Sequence, residues 1–323
     1  MKLEEYKTLE DKVENFEMIS ETARIHYETD KFFSWLDELY DLNHTDTNKP
    51  RYAFRGQREA KYRLHNSAQR YFYGNDIDQL IKDVYEGNDD NRKLAFFKDW
   101  STSVIVEGLK WQRALVPKIL NLQNIDNKDP FSPLFSYLRH YGVPTPVLDF
   151  SLNPFVALYF AIEEANQTPS NCEIENYLSL YIVDIEYSNL CAEQFRTTEF
   201  YETYLNLTKC YNPFYVITDS NSNIYNNLNI INQEGCLIGN ILRNDSLEAA
   251  YKELCQEYLN DFQSQRLINC YNIHKDLIPF VRQKLKEKGI TKEFIYPDPY
   301  SIKDVIDKAT IESVNRNLEY KNE

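Results

Sequence analysis

At 323 residues, with 42% hydrophobic and 14% aromatic content, the chain can bury a sizeable core as one large domain or one domain with extensions. A formal charge of −14 and a pI near 5.0 exclude a broad basic footprint for nucleic acid or anionic lipid, though not a local basic cleft. With only 8 glycines, no glycine-rich phosphate loop can be assembled.

Six scattered cysteines without a C-x-x-C pair and only five histidines argue against a zinc site, so no metal is expected. No stretch approaches the ~20 apolar residues of a spanning helix, and the acidic start lacks an apolar leader. The expectation is a soluble, cytoplasmic protein with reduced thiols and no membrane partner.

Residues 1–29 are charged and helical in tendency, with Val13, Phe16 and Ile19 at helix spacing. Asp30 caps a predicted amphipathic helix over 31–42, and the polar turn 43–50 leads into a strand in which Tyr52 and Phe54 alternate. Arg55, Gly56 and Gln57 end that strand with a cation, a backbone open to close approach, and an amide.

Residues 59–73 are basic and aromatic, and the bland reading, a solvated loop or helix face, is preferred over a phosphate-facing patch. Two or three helices are predicted over 76–122, followed by a linker at 124–130. Beyond a loop at 166–176, residues 177–185 read as a strand buried on both faces.

A helix near 192–208, a short strand at 214–218 and a loop at 219–227 follow. An apolar strand over 228–238 is interrupted by Gln233, Glu234 and Gly235. Residues 246–262 are helical and 265–273 a strand. A helix over 276–288 stops at Gly289, residues 290–299 are extended, and a last helix starts near 301. Helices and strands alternate irregularly, which gives an α+β (mixed α/β) class with a small central sheet flanked by many helices.

The chain is organised around residues 139–164. Gly142 and Pro144 punctuate a turn, Val147 and Leu148 start a strand broken by Asp149, and Ser151 or Asn153 caps the next helix, with Pro154 in its first turn. That helix is apolar on nearly every face and should be buried. His140, Thr145, Asp149 and Ser151 then surround the positive end of a buried helix, a natural place for an anion or a polar ligand. Equally, Asp149 and Ser151 could simply satisfy backbone donors.

Taken together these stretches resemble the FRG domain. The resemblance rests on Phe54-Arg55-Gly56-Gln57, on His140-Tyr141-Gly142-Val143-Pro144-Thr145 through Leu148-Asp149 to Ala157-Leu158-Tyr159-Phe160-Ala161, and on Gln233-x-Gly235. It ends at Gly289-Ile290 and Tyr296-Pro297-Asp298. It divides the chain into an N-terminal helical extension (1–30), the domain (31–307) and a C-terminal helical tail (308–323). Arg139, Pro146 and Phe150-Ser151 stand where the family usually has Gln, Arg and Trp-Thr. The resemblance implies a bacterial domain met in phage-defence and toxin-like settings, and little biochemistry.

Three functions stay open. Arg55, the strand end at 148–151 with its helix, and Glu234 follow the order of an Arg–Ser–Glu ADP-ribosyltransferase. That similarity implies NAD as substrate and an acceptor protein or nucleic acid. Glu234, Gln233, Arg55 and His140 would be catalytic, and Arg55, Gln57, Tyr141, Thr145, Asp149 and Ser151 would hold the ligand. The second function is a non-catalytic module that binds a nucleotide or other polar ligand. The third is a metal-independent hydrolase with His140 as general acid or base and Asp149 orienting it. If one site exists, Arg55, His140, Asp149 and Gln233 or Glu234 should line a common cleft.

Overall fold

A computed structural model describes residues 3–13, 26–45, 50–81, 90–111, 138–139, 142–186, 188, 216–218, 231–239, 245–251 and 268–297. Helices α1 (Leu9–Val13), α2 (His26–Asn43), α3 (Ser67–Gly74) and α4 (Asp90–Trp111) interleave with strands β1 (Tyr52–Gln57) and β2 (Val147–Ser151). Then come α5 (Pro154–Glu163), β3 (Tyr177–Asp184), β4 (Val216–Thr218), β5 (Gly235–Gly239), β6 (Ile268–His274), α6 (Ile278–Glu287) and α7 (Lys292–Ile295). The class is mixed α+β. The strands form one antiparallel sheet in the order β4-β5-β2-β1-β3-β6. No helix among the described residues is long and apolar enough to cross a membrane.

Alternation along the strands gives the sheet two covered faces. Ala53, Leu148, Phe150, Tyr181 and Cys236 pack on one face with Tyr6, Leu64 and Tyr251. Phe54, Leu180 and Ile182 pack on the other with α2, α5 and α6, through Phe33, Leu36, Val156, Leu158, Val281 and Leu285. β3 is buried along its whole length, as its apolar run predicts. Helix α5 is likewise buried, and Asn153 is its cap: Oδ1 accepts from the amides of Phe155 (3.0 Å) and Val156 (3.4 Å).

Gly56 shows why α5 lies where it does. A Cβ there would stand 2.8 Å from the Ala161 nitrogen and 2.9 Å from the Ala157 carbonyl carbon, and closer still to the Ala157 oxygen. The close approach that this glycine permits is therefore to the backbone of α5. Every residue of β1 pairs with β3, whereas its printed partner on β2 is the single pair Phe54↔Ser151. β1 and β2 thus splay apart beyond Phe54.

Several expected elements differ. Residues 231–234 form a helical turn before β5, so Gln233 and Glu234 do not interrupt a strand, and Glu234 sits in the left-handed region at φ 46°. The segment after Gly289 is not extended: Thr291 caps α7 by accepting from the Phe294 amide. Helix α6 does end at Gly289 (φ 76°), where the Ile290 amide donates back to the Leu285 carbonyl at 2.9 Å. The predicted helices near 192–208 and after 301 lie outside the described residues.

Candidate functional site

The splay between β1 and β2 is filled by arginines. Arg55 points out of β1, and its Nη1 donates to the main-chain carbonyl of Asp149, while its Nε is buried without a partner. The Asp149 carboxylate takes Arg139: Nε donates to Oδ1 and Oδ2 at 3.0 Å each, and Nη2 donates to Oδ2. Arg70, from α3, donates to the His65 carbonyl at 2.7 Å.

Electrostatics tie the group together. Burial pushes the Arg55 guanidinium down to about 10, and Arg70 and Arg139 add to the drop while Asp149 opposes it. Burial also lowers Arg70, helped by the charge of Arg139. Burial would raise the Asp149 carboxyl, but its bonds to Arg139 and the charges of Arg139, Arg55 and Arg70 outweigh that and hold it below the usual carboxylate range. Arg139 thus holds the carboxylate, Arg55 holds the carbonyl of the same residue, and the charge of Arg70 reaches both.

In front of Arg55 opens a cleft of about 580 Å³, within the size range of small-molecule sites. Gln57, Arg63, His65 and Arg70 share the Arg55 end. Phe160 and Glu163 from α5, Tyr296 from just beyond α7, and Leu3–Glu5 from the N-terminal segment also line it. Phe160 and Tyr296 meet edge to face, with centroids 6.4 Å apart. Glu163 accepts from the hydroxyls of Tyr159 (3.2 Å) and Tyr296 (2.9 Å).

His65 is only 7% exposed, with the Gln69 side chain and the Glu4 backbone beside its ring. Burial, with Arg63 and Arg70 alongside, drives its imidazole down to about 4. The stretch 59–73 is therefore not a solvated face. Its buried His65, Asn66, Gln69 and Phe72 pack inward and its arginines turn to the cleft.

The expected site residues divide. Arg55 and Gln57 line the cleft, and Asp149 backs it through Arg55 and Arg139. Thr145 is fully buried and bonds Ser67, its amide donating to Ser67 Oγ at 2.9 Å. Ser151 donates to the Gln233 carbonyl at 2.6 Å. Gln233 donates to the Ile295 carbonyl at 3.1 Å.

Glu234 Oε1 accepts from Asn153 Nδ2 at 2.8 Å, and its Oε2 lies 2.9 Å from His44 Nε2. Neither Gln233 nor Glu234 lines the cleft, so the expectation of one cleft holding Arg55 and Glu234 is not met. The positive end of α5 is occupied by the protein itself, through Asn153 with Glu234 behind it. His140 and Tyr141 lie outside the described residues. Sequence reasoning met Arg63, His65 and Arg70 only as part of a basic stretch whose solvated reading was preferred, and passed over Glu163. The signal for the first three was the density of basic residues in 59–73, and Glu163 had none.

A family model matches residues 50–170, from the start of β1 to the loop after α5. Residues 50–170 match the FRG domain. The matched FRG stretch supplies Arg55, Arg63, His65, Arg70, Arg139, Asp149 and Glu163, that is, the arginine cluster and one wall of the cleft. Strands β3–β6, Glu234 and Tyr296 fall after it, although the sheet runs through both parts. No curated protein and no solved structure gives a significant match.

Proposed function

We propose that the FRG domain binds a phosphate-bearing nucleotide in this cleft. The observation that carries the reading is the group of Arg55, Arg70 and Arg139 around a single carboxylate, beside a cavity with an aromatic wall. Like charges held together in a partly desolvated place favour an anion strongly. Phe160 and Tyr296 offer apolar rings to a base. Calorimetry with AMP, ADP and NAD tests this. Binding in the micromolar to millimolar range that Arg70→Ala weakens at least tenfold supports it, and absence of any nucleotide binding refutes it.

NAD-dependent ADP-ribosyl transfer is the enzymatic form of the same reading, with an acceptor still to be named and the toxin or defence setting implied by the resemblance. One observation favours it: Glu163 brings a carboxylate into the cleft that Arg55, Arg63 and Arg70 also line. Two tyrosine hydroxyls bond that carboxylate and hold it in place, which suits a group that stabilises positive charge on a ribose. Nicotinamide release that falls by orders of magnitude in Glu163→Gln and not in Glu234→Gln would support transfer. No release from wild-type protein leaves a binding module.

A further inference from the structure

We infer that the arginine end of the cleft is a subsite for a terminal phosphate, a phosphomonoester dianion, held by Arg55, Arg63 and Arg70 with His65 beside it. The inference rests on the nucleotide reading and names the part of the ligand that this end recognises.

Three independent features converge. Donors reach the same end of the cleft from three places: Arg55 from β1, Arg63 and His65 from the segment after it, and Arg70 from α3. Two of their polar atoms are buried with nothing to bond. Arg55 Nε and Arg63 Nε have no partner, which costs free energy unless a ligand or water supplies one.

The charges then set the valence. Around Arg55, the cations Arg55, Arg63, Arg70 and Arg139 face Asp149 on Arg139 and Glu4 at 3.6 Å from Arg63, which leaves two positive charges there; elsewhere in the lining Arg58 pairs Glu164 at 2.7 Å, and Glu5 and Glu163 bring carboxylates of their own. A phosphomonoester at neutral pH carries about −1.5 to −2, whereas each phosphate of a dinucleotide bridge carries a single charge and is flanked on both sides.

His65 gives the subsite a proton readout. The groups that face it are Arg63 on its own segment, Arg70 and Gln69 on α3, and the Glu4 backbone on the N-terminal segment. Both cations disfavour imidazolium. A dianion between them reverses the local field, so the ring gains a proton and becomes a donor to the phosphate.

The test is calorimetry of the full chain at pH 7 with AMP, adenosine, NAD and orthophosphate, each in two buffers of different ionisation enthalpy. AMP is expected to bind at least ~100-fold more tightly than adenosine, as two lost charge-assisted hydrogen bonds would give, and more tightly than NAD. Orthophosphate should compete with AMP, AMP binding should take up protons, and His65→Gln should abolish the uptake. Arg70→Ala, at the outer edge of the cluster, keeps the test open if a buried variant fails to fold.

Equal affinity for AMP and adenosine, or NAD binding as tightly as AMP, overturns the subsite while the nucleotide reading survives. Binding of orthophosphate with no nucleotide binding supports the subsite and refutes the nucleotide reading. Binding of AMP without proton uptake removes His65 from it.

Discussion

Gly56→Ala probes the contact that joins the Phe-Arg-Gly stretch to the buried helix. The new methyl would meet main-chain atoms of Ala157 and Ala161 at 2.9 Å or less, well inside ordinary van der Waals contact. Backbone atoms cannot change rotamer, so α5 must move off the sheet as a body. Overpacking costs about 1–3 kcal/mol, and a rigid backbone contact belongs at the upper end; the lower unfolded-state entropy of alanine returns less than ~1 kcal/mol.

The net expectation is a loss of about 2–3 kcal/mol, or about 4–12 °C in melting temperature at ~2–4 °C per kcal/mol for a domain of this size. Thermal and urea unfolding followed by circular dichroism measure it. Gly74→Ala is the control, because nothing lies within 4 Å of a Cβ there. Since α5 carries Phe160 and Glu163, ligand affinity should fall together with stability. A Gly56→Ala protein that melts within 1 °C of wild type would refute the packing of α5 on Gly56.

Glu234→Ala removes the partner of the Asn153 cap and of His44, and is expected to cost about 1 kcal/mol while nucleotide affinity stays unchanged. A selective loss of binding would return Glu234 to the site. Asp149→Asn leaves the arginines without their carboxylate and should destabilise by about 1–3 kcal/mol, below the ~3–5 kcal/mol of a fully buried pair because the Asp149 side chain is 49% exposed. The folded state holds Asp149 below its unfolded value of ~3.9, so its contribution is present above that pH and lost as pH falls through the folded value; the variant should flatten the acid limb of a stability–pH profile.

Glu248 has the opposite sign. Burial pushes its carboxyl up, so its contribution is full below the unfolded value of ~4.3 and lost as pH rises through the folded one. Glu248→Gln keeps an acceptor for Tyr6 (3.0 Å) and the Leu64 amide, and should match or exceed wild-type stability in urea at pH 8. A marked loss there would refute burial as the dominant influence.

Much of the fold was legible in the chain, because local patterns are written in neighbouring residues. The continuous apolar run of β3, the all-round apolar face and proline start of α5, and the stop at Gly289 each follow from composition and spacing within one segment. The Phe-Arg-Gly stretch likewise marked a strand ending in a cation.

What the tertiary structure decided is which segments meet. It turned the basic residues of 59–73 inward, since Phe72 and Gln69 bury that helix against the body and leave Arg63, His65 and Arg70 at the cleft. It gave Asp149 to Arg139, ten residues earlier, and only its carbonyl to Arg55. It also set Glu234 on the cap of α5, away from the cleft, because the turn at φ 46° aims its carboxylate at Asn153 and His44. Order along the chain suggested an arginine and a glutamate in one site, but strand register and the face a turn presents are properties of the assembled sheet.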